Sequence, residues 1–210
     1  MTTELYGGAI TITKLPDSFI DISQIRQVPD TQEVFINQLT SNSESFDQSF
    51  IIDLLERVDC IDYQEAINLH LQDIVPPNVY NHPIEEKINQ DGIIRYFSFV
   101  KFIPHYNNKK INSNNLESPK QIITLICLIR LENVDTDVLL QYIIPLKDDL
   151  DHDNGDDNGD GDGEGNADEE EEVSFEKFGS TKVDKIVKES YKLFKEIALS
   201  FTIKNWNLFA

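Results

Sequence analysis

Residues 121–131 form an uninterrupted apolar run that constrains the fold more than any other part of the chain. They read Gln-Ile-Ile-Thr-Leu-Ile-Cys-Leu-Ile-Arg-Leu, and as a β-strand this run is apolar on both faces. A strand without a polar face cannot have one side in water, so both sides of its sheet need cover. Helices provide that cover in folds that combine sheets and helices. The run therefore predicts a central sheet that lies between helices.

Alternating apolar and polar residues predict further strands. The segment 49–56 fits either a buried strand or one face of a helix, and we favour the strand. Residues 132–137 carry the turn chemistry of a hairpin after the apolar run. Gly7 and Gly8 mark a bend or a close backbone approach near the beginning of the chain. The predicted strands besides 121–131 are 5–13, 33–38, 49–56, 93–103 and 138–145.

Two segments have the three-and-four spacing of apolar residues that is typical of amphipathic helices. The first, over 62–74, begins with a capping-box pattern and is stopped by two prolines. The second, over 183–201, is about five turns long and is capped by Ser180 or Thr181. The polar, proline-containing segment 15–31 is predicted to be a connector with at most a helical turn.

Acidic side chains outnumber basic ones by 38 to 18, which gives a net charge of −20. Duplex nucleic acid and anionic membranes bind basic surfaces, so this balance argues against both as partners. The sequence has no basic and apolar leader, and no run reaches the roughly 18 apolar residues of a membrane span. The two cysteines have neither a metal-binding nor a redox spacing. We therefore expect a soluble protein inside the cell.

One acidic segment accounts for most of the net charge. Residues 148–172 hold 14 acids and no lysine or arginine, which leaves −6 for the other 185 residues. We interpret the chain as a single domain over 1–210, interrupted by this disordered acidic insertion and by a polar, asparagine- and lysine-rich loop at 105–119. A calcium-loop pattern that starts at Asp156 is incomplete, because Ala167 stands where the bidentate glutamate belongs. The insertion is predicted to be solvated, and its alternative role is to bind a basic partner such as a histone.

Residues for catalysis do not assemble from the sequence. The four histidines lie in unrelated contexts, and there is no nucleophile elbow, no phosphate-binding glycine loop and no zinc-protease motif. We predict no catalytic residue, no metal site and no cofactor, and hence a protein that is not an enzyme. An active site whose residues converge only in space stays open at this stage.

A polar connector runs directly into a predicted strand at residues 26–35, which read Arg-Gln-Val-Pro-Asp-Thr-Gln-Glu-Val-Phe. Asp30, Gln32 and Glu33 are therefore expected on an ordered rim, where polar groups can meet a partner. A plainer interpretation is that Asp30 makes an Asx-type turn after Pro29 and that Glu33 is merely solvated. Spacing alone favours the plainer interpretation.

Six blocks of the sequence occur together, and in the same order, in one protein family. The blocks are Leu-Tyr-Gly-Gly-Ala-Ile at 5–10, Phe-Ile-Asp-Ile-Ser-Gln-Ile-Arg-Gln-Val-Pro-Asp-Thr-Gln-Glu-Val-Phe at 19–35, Ile-Ile-Asp-Leu-Leu-Glu at 51–56, Leu-Ile-Arg-Leu at 128–131, Asp-Thr-Asp-Val at 135–138 and Asn-Leu-Phe-Ala at 207–210. With them the chain resembles the Mog family of Ran-binding proteins, also called Ran guanine nucleotide release factors. The acidic insertion and the asparagine- and lysine-rich loop are longer than the family pattern, but neither interrupts a block.

The resemblance implies an α+β fold, namely a PsbP-like α/β/α sandwich with a mostly antiparallel sheet of about six strands and helices on both faces. It also implies binding to the small GTPase Ran, promotion of the release of guanine nucleotide from Ran, and support of nuclear protein import. The family's Ran-contacting acids carry over to Asp30 and Glu33. Arg26, Gln32 and Asp53 are extensions of that site that we add.

The expected partner is Ran, with a Ran-binding import cofactor as an open addition, and the expected state is a monomer in the nucleus and the cytoplasm. A competing hypothesis is an acidic chaperone that binds histones or other basic proteins through residues 148–172. A third hypothesis, a pocket for a small molecule, requires a concave cluster of titratable groups.

Overall fold

The computed structural model describes residues 2–39, 44–72, 74–77, 79, 81–104, 118–147 and 182–209. Its strands are β1 (Thr2–Leu5), β2 (Ile10–Thr13), β3 (Phe19–Asp21), β4 (Gln32–Asn37), β5 (Gln48–Glu56), β6 (His82–Ile88), β7 (Ile94–Phe102), β8 (Gln121–Leu131), β9 (Thr136–Leu146) and β10 (Thr202–Ile203). Its helices are α1 (Tyr63–Leu71) and α2 (Lys182–Ser200). Neither helix is long and apolar enough to cross a membrane, as far as the described residues go.

Seven strands form a central antiparallel sheet in the order β3-β4-β5-β9-β8-β7-β6. The apolar run that opened the sequence analysis is β8, and it lies between β9 and β7. The ambiguous segment 49–56 belongs to β5, so the choice of a strand there is confirmed. A 3-10 turn over Glu132–Val134 and a left-handed Asp135 (φ +52°) join β8 to β9, which confirms the predicted hairpin.

Both faces of the central sheet are covered, as the two-sided apolar run of β8 requires. Cys127 of β8 is fully buried and belongs to the same core cluster as Phe194 of α2. Its neighbour Ile126 points to the opposite face and shares a second cluster with Ile67 of α1. The prediction of a sheet with helices on both faces is therefore confirmed.

The two helices match their predictions except at their ends. Asp62 caps α1, because its carboxylate accepts a hydrogen bond from the Glu65 backbone N–H at 2.8 Å. Ile74, which we predicted on the apolar stripe of this helix, lies beyond the last turn and is 53% exposed. The helix α2 has 19 residues, as expected for five turns. Its predicted caps, Ser180 and Thr181, lie outside the described residues.

The beginning of the chain folds as a hairpin, so the prediction of one strand over 5–13 was wrong. β1 and β2 pair antiparallel, and β10 pairs with β2 to complete a three-stranded sheet. A 3-10 turn, Tyr6–Gly8, reverses the chain, with φ values of +49° at Tyr6, +63° at Gly7 and +87° at Gly8. Glycine adopts positive φ at little cost, which is why two glycines stand where the chain turns.

The two edge strands of the central sheet, β3 and β6, were missed by the sequence analysis. β3 has only three residues, and β6 contains Pro83 and the charged residues Glu85, Glu86 and Lys87. Prolines and charges are common in edge strands, which have a neighbour on one side only. Because of those same features, β6 has no apolar pattern that identifies it as a strand. The central sheet therefore has seven strands where about six were expected.

A buried arginine fixes the end of α2 on the sheet. Arg95 of β7 is fully buried, and its guanidinium donates to the carbonyl oxygens of Ala198 (3.2 Å) and Phe201 (3.0 Å). It also donates to the Asp91 carboxylate at 2.8 Å and holds the pKa of that carboxyl below its usual value. A buried charge is tolerated only with such partners, so these bonds define the position of α2 along its own axis.

The acidic insertion and nearly all of the asparagine- and lysine-rich loop lie outside the described residues, and the division of the chain into one domain stays a prediction. The strands that lead into these two segments are described. β7 ends at Phe102 and β9 ends at Leu146, and both residues lie at the end of the sheet where β8 begins. We term this the far end. The near end is the opposite one, where β4 begins at Gln32 and β5 ends at Glu56.

Candidate functional site

Asp30 lies on an exposed turn at the near end, immediately before β4. The Gln32 backbone N–H donates to the Pro29 carbonyl oxygen at 2.9 Å, so Asp30 and Thr31 occupy the centre of a β-turn. The turn is thus closed by the backbone and not by an Asx-type bond from Asp30. The Asp30 side chain is exposed and makes no hydrogen bond or ion pair within the described part of the chain. Its carboxylate is consequently available to a partner.

Glu33 lies three residues further on, in β4, and is half-buried. Its cross-strand neighbour is Ile52, so its side chain is on the face of the sheet that α2 and the small sheet cover. One carboxylate oxygen, Oε1, accepts a hydrogen bond from the Tyr6 backbone N–H. Burial raises the pKa of Glu33, and the bond from Tyr6 opposes that rise only in part. Glu33 is thus held on one side, while Asp30 is free.

Tyr6 connects the first turn of the chain to the segment that carries the two acids, and the sequence analysis did not assign it a role. Its hydroxyl oxygen lies 2.9 Å from the carbonyl oxygen of Ile52 and 3.1 Å from that of Thr31, so its single proton is shared between these two acceptors. Burial raises the pKa of the Tyr6 hydroxyl, with smaller contributions from Glu33 and Asp53. The pair of glycines after Tyr6 was the available signal in the sequence. A predicted close backbone approach at these glycines implies that another segment of the chain packs against this turn.

Gln32 and Asp53 face the other side of the sheet. They are cross-strand neighbours, and the Gln32 side chain hydrogen-bonds the Asp53 carboxylate. Gln141 also donates to Asp53, at 3.0 Å. Asp53 is only 5% exposed, and burial raises its pKa although both glutamines stabilise the charged form. Asp53 therefore lies below the surface and on the opposite face from Glu33.

Arg26 lies on the connector that precedes the Asp30 turn. Its side chain is exposed, and its backbone N–H donates to the Ile22 carbonyl oxygen at 3.0 Å, which ties it to the 3-10 turn over Ile22–Gln24. The adjacent Ile25 is 71% exposed. The structure thus brings four of the five predicted residues, Arg26, Asp30, Gln32 and Glu33, to one short stretch at the near end, and it places Asp53 beneath them.

A charged network supports the near end from the α1 side of the sheet. Asp137 of β9 has no exposed surface, and its two carboxylate oxygens contact His70 Nε2 at 2.8 Å and Arg130 Nε at 2.9 Å. Burial raises the pKa of Asp137, but the hydrogen bonds from His70 and Arg130 outweigh it and the net shift is downward. Arg130 also donates to the carbonyl oxygens of Val58 and Cys60. This network joins α1 to β8 and β9 and to the segment that follows β5.

A metal-binding cluster is absent from the described residues. No three histidine, cysteine, aspartate or glutamate side chains there converge to hold a metal ion. A surface cleft of about 550 Å³ near α2 contains one carboxylate, Asp91, which is already bound by Arg95. What the near end offers is one free and one half-buried carboxylate on ordered backbone, an arrangement suited to a basic protein surface.

Comparisons with known proteins point to one family. A family model described as "Ran-interacting Mog1 protein" matches residues 3–145. The nuclear import protein MOG1 of Saccharomyces cerevisiae is 36% identical over 148 residues, which are 68% of this chain and 65% of that protein. The Ran guanine nucleotide release factor of Danio rerio is 29% identical over 159 residues, 70% of this chain and 79% of its own length. The chain thus spans slightly less than two thirds of the yeast relative.

Solved structures agree with these sequence matches. The crystal structure of the Saccharomyces cerevisiae Ran-binding protein Mog1p superposes with a TM-score of 0.62 at 27% identity. The superposition covers 100% of this chain and 98% of that one. A mutant form of protein Mog1 matches equally well.

Proposed function

The chain belongs to the family of Ran-interacting Mog1 proteins, and on that premise we propose that it binds the small GTPase Ran, promotes release of its bound guanine nucleotide and supports nuclear protein import. The family match over residues 3–145 confirms the resemblance seen in the sequence blocks. In this proposal the protein acts by binding and catalyses no covalent reaction.

The free carboxylate of Asp30 beside the half-buried carboxylate of Glu33 is the observation that carries the proposal. Both acids belong to the sequence block that carries the resemblance, and both lie on backbone that is held in place before any partner arrives. Ordered acids of this kind pair with basic side chains across an interface. Truncation of such a pair costs about 2–5 kcal/mol at the centre of an interface, whereas a rim charge mainly alters the association rate.

Nucleotide release follows if the protein prefers a conformation of Ran with a loosened nucleotide site. A ligand shifts such an equilibrium only by the difference between its affinities for the two states. The coupling is reciprocal, so bound nucleotide weakens the binding of this protein to Ran by the same factor. A pull-down with Ran loaded with GDP, loaded with GTP or stripped of nucleotide measures that preference directly.

The release of a fluorescent guanine nucleotide from Ran tests the two acids. We expect Glu33→Lys to slow release by about tenfold or more, because it places a cation against a basic surface, and Asp30→Ala to slow it by about two- to tenfold. Glu189→Lys is the matched control, since Glu189 is an exposed acid in the middle of α2 and has no part in the site. Unchanged release with both site variants would remove Asp30 and Glu33 from the mechanism.

The other three residues receive different roles in the proposal. Arg26 precedes the acids and Gln32 lies between them in the chain, and in the proposal both add to the contact area with Ran. Asp53 is too deeply buried to meet Ran, so we assign it the support of Gln32. Monomeric protein in both nucleus and cytoplasm, and a Ran-binding import cofactor in the same complex, complete the proposal.

A further inference from the structure

We propose that Tyr6 is a positioning residue for Glu33, so that the first turn of the chain aims the carboxylate that meets Ran. The inference rests on the proposed function. It adds a residue from a separate sequence block, 27 positions from the acid whose geometry it controls.

The geometry around Tyr6 has two parts. Its backbone N–H donates to Glu33 Oε1, which leaves the other carboxylate oxygen, Oε2, for a partner. Its hydroxyl proton is shared between the carbonyl oxygen of Thr31 on the Asp30 turn and that of Ile52 on the adjacent strand. One residue thus contacts the backbone between the two acids, the backbone of the adjacent strand and one of the acids itself.

The Tyr6 backbone explains why the side chain is needed. Tyr6 has φ +49°, in the left-handed region that a residue with a Cβ adopts only at a cost. The ring packs against the main core cluster, and the hydroxyl bonds hold the turn in place. Without the side chain, nothing at position 6 compensates for that cost, and the N–H loses its fixed direction toward Glu33. A carboxylate that is free to rotate must be ordered when Ran binds, which weakens the complex.

A double-mutant cycle on nucleotide release from Ran tests this role, with Tyr6→Ala, Glu33→Ala and the two combined. We expect Tyr6→Ala to slow release by about fivefold and Glu33→Ala to slow it more. The combined variant should release no more slowly than Glu33→Ala alone, because a positioning residue has no effect once its target is gone. Losses that multiply in the combined variant would overturn the inference, and so would wild-type release by Tyr6→Ala.

Tyr96→Ala is the control for general loosening of the fold. Tyr96 is also a half-buried tyrosine, but it lies on the α1 face of the sheet against Tyr63, with no contact to Glu33. It should lower the urea midpoint of unfolding as Tyr6→Ala does, while release stays at the wild-type rate. Equal slowing by both variants would overturn the positioning role. If the wild-type protein itself neither binds Ran nor promotes release, the proposed function fails; if only Tyr6→Ala behaves as wild type, the inference alone fails.

Discussion

The two ends of the central sheet differ in what holds them together and in what the chain attaches to them. At the near end, strands are joined by short ordered turns, and the buried polar groups include the ion pair of Asp137 with Arg130, which His70 also contacts. At the far end, the buried polar groups around Tyr142 and Gln48 are neutral. The proposed Ran site lies at the end that is built from fixed charges.

The far end is also where both long insertions depart. The chain leaves β7 toward 105–117 and leaves β9 toward 148–181, and the Gln121–Leu146 pair places both exits at that end. Most of the net negative charge of the protein is therefore attached away from Asp30 and Glu33. The lesson is that the segment with most of the charge and the proposed Ran site are attached to opposite ends of the sheet. The net charge of the whole sequence does not show this separation.

The charged network of the near end should be the more costly one to break. Asp137→Ala leaves Arg130 buried without its anion and removes the hydrogen-bond partner of His70, and we expect a loss of about 3–5 kcal/mol of unfolding free energy. Tyr142→Phe removes one hydroxyl from the neutral network of the far end, for which about 1–3 kcal/mol is expected. Urea unfolding of both variants measures the two losses, and an equal cost would remove the distinction between the ends.

Low pH should remove the contribution of Asp137 to the free energy of unfolding. The folded-state pKa of this carboxyl is lowered, so its contribution is complete above the unfolded pKa, near 3.8, and is lost as the pH falls through the folded value. The unfolding free energies of the wild type and Asp137→Ala should therefore converge in strongly acidic solution. A constant difference across that range would contradict the lowered pKa.

Glu33→Gln should separate stability from function at the near end. Burial raises the pKa of Glu33 above its ordinary 4.5, so ionisation destabilises the folded state, and this cost is present above the folded pKa. We expect Glu33→Gln to be more stable than the wild type at neutral pH and to release nucleotide from Ran more slowly. The stability difference should shrink as the pH falls through the folded pKa toward 4.5. A variant less stable than wild type at neutral pH would show that the Tyr6 bond dominates over burial.

Deletion of residues 148–172 should have the smallest effect on release. The insertion departs from the far end, so we expect wild-type release of nucleotide from Ran and little change in stability, because loop length has a small entropic cost. Binding of histones at low salt, if the intact protein shows it, should disappear with the insertion. Loss of release after the deletion would contradict the proposed separation of the two ends.

Much of the fold follows from side-chain pattern, because pattern reports burial. The two-sided run of β8 predicted cover on both faces, and Cys127 and Ile126 lie in the two clusters that provide it. The side-chain pattern does not show whether a strand lies at the centre or at the edge of a sheet. Half-exposed, charged β6 has no apolar pattern to detect, and the reversal at Tyr6–Gly8 depends on backbone dihedrals that alternation does not register.

The residues of the candidate site were proposed from the sequence, but their depth in the fold was not. Asp30 and Glu33 came from the resemblance, and the exposure of Asp30 agrees with a rim position. Asp53 looked equivalent because it, too, is an acid in a family-like block. The antiparallel register pairs Asp53 with Gln32 and turns it to the opposite face from Glu33. That register cannot be deduced from the sequence alone.

Arg95 gives the molecule a tolerance for changes of length in the segment that precedes α2. Its rigid guanidinium holds two carbonyl oxygens at the end of that helix, so a slip by one residue would leave both without their donors. The position of α2 is consequently fixed at its C-terminal end and does not depend on the number of residues that precede the helix. We therefore expect changes in the length of residues 148–181 to leave β10 and the turn that holds Glu33 in place.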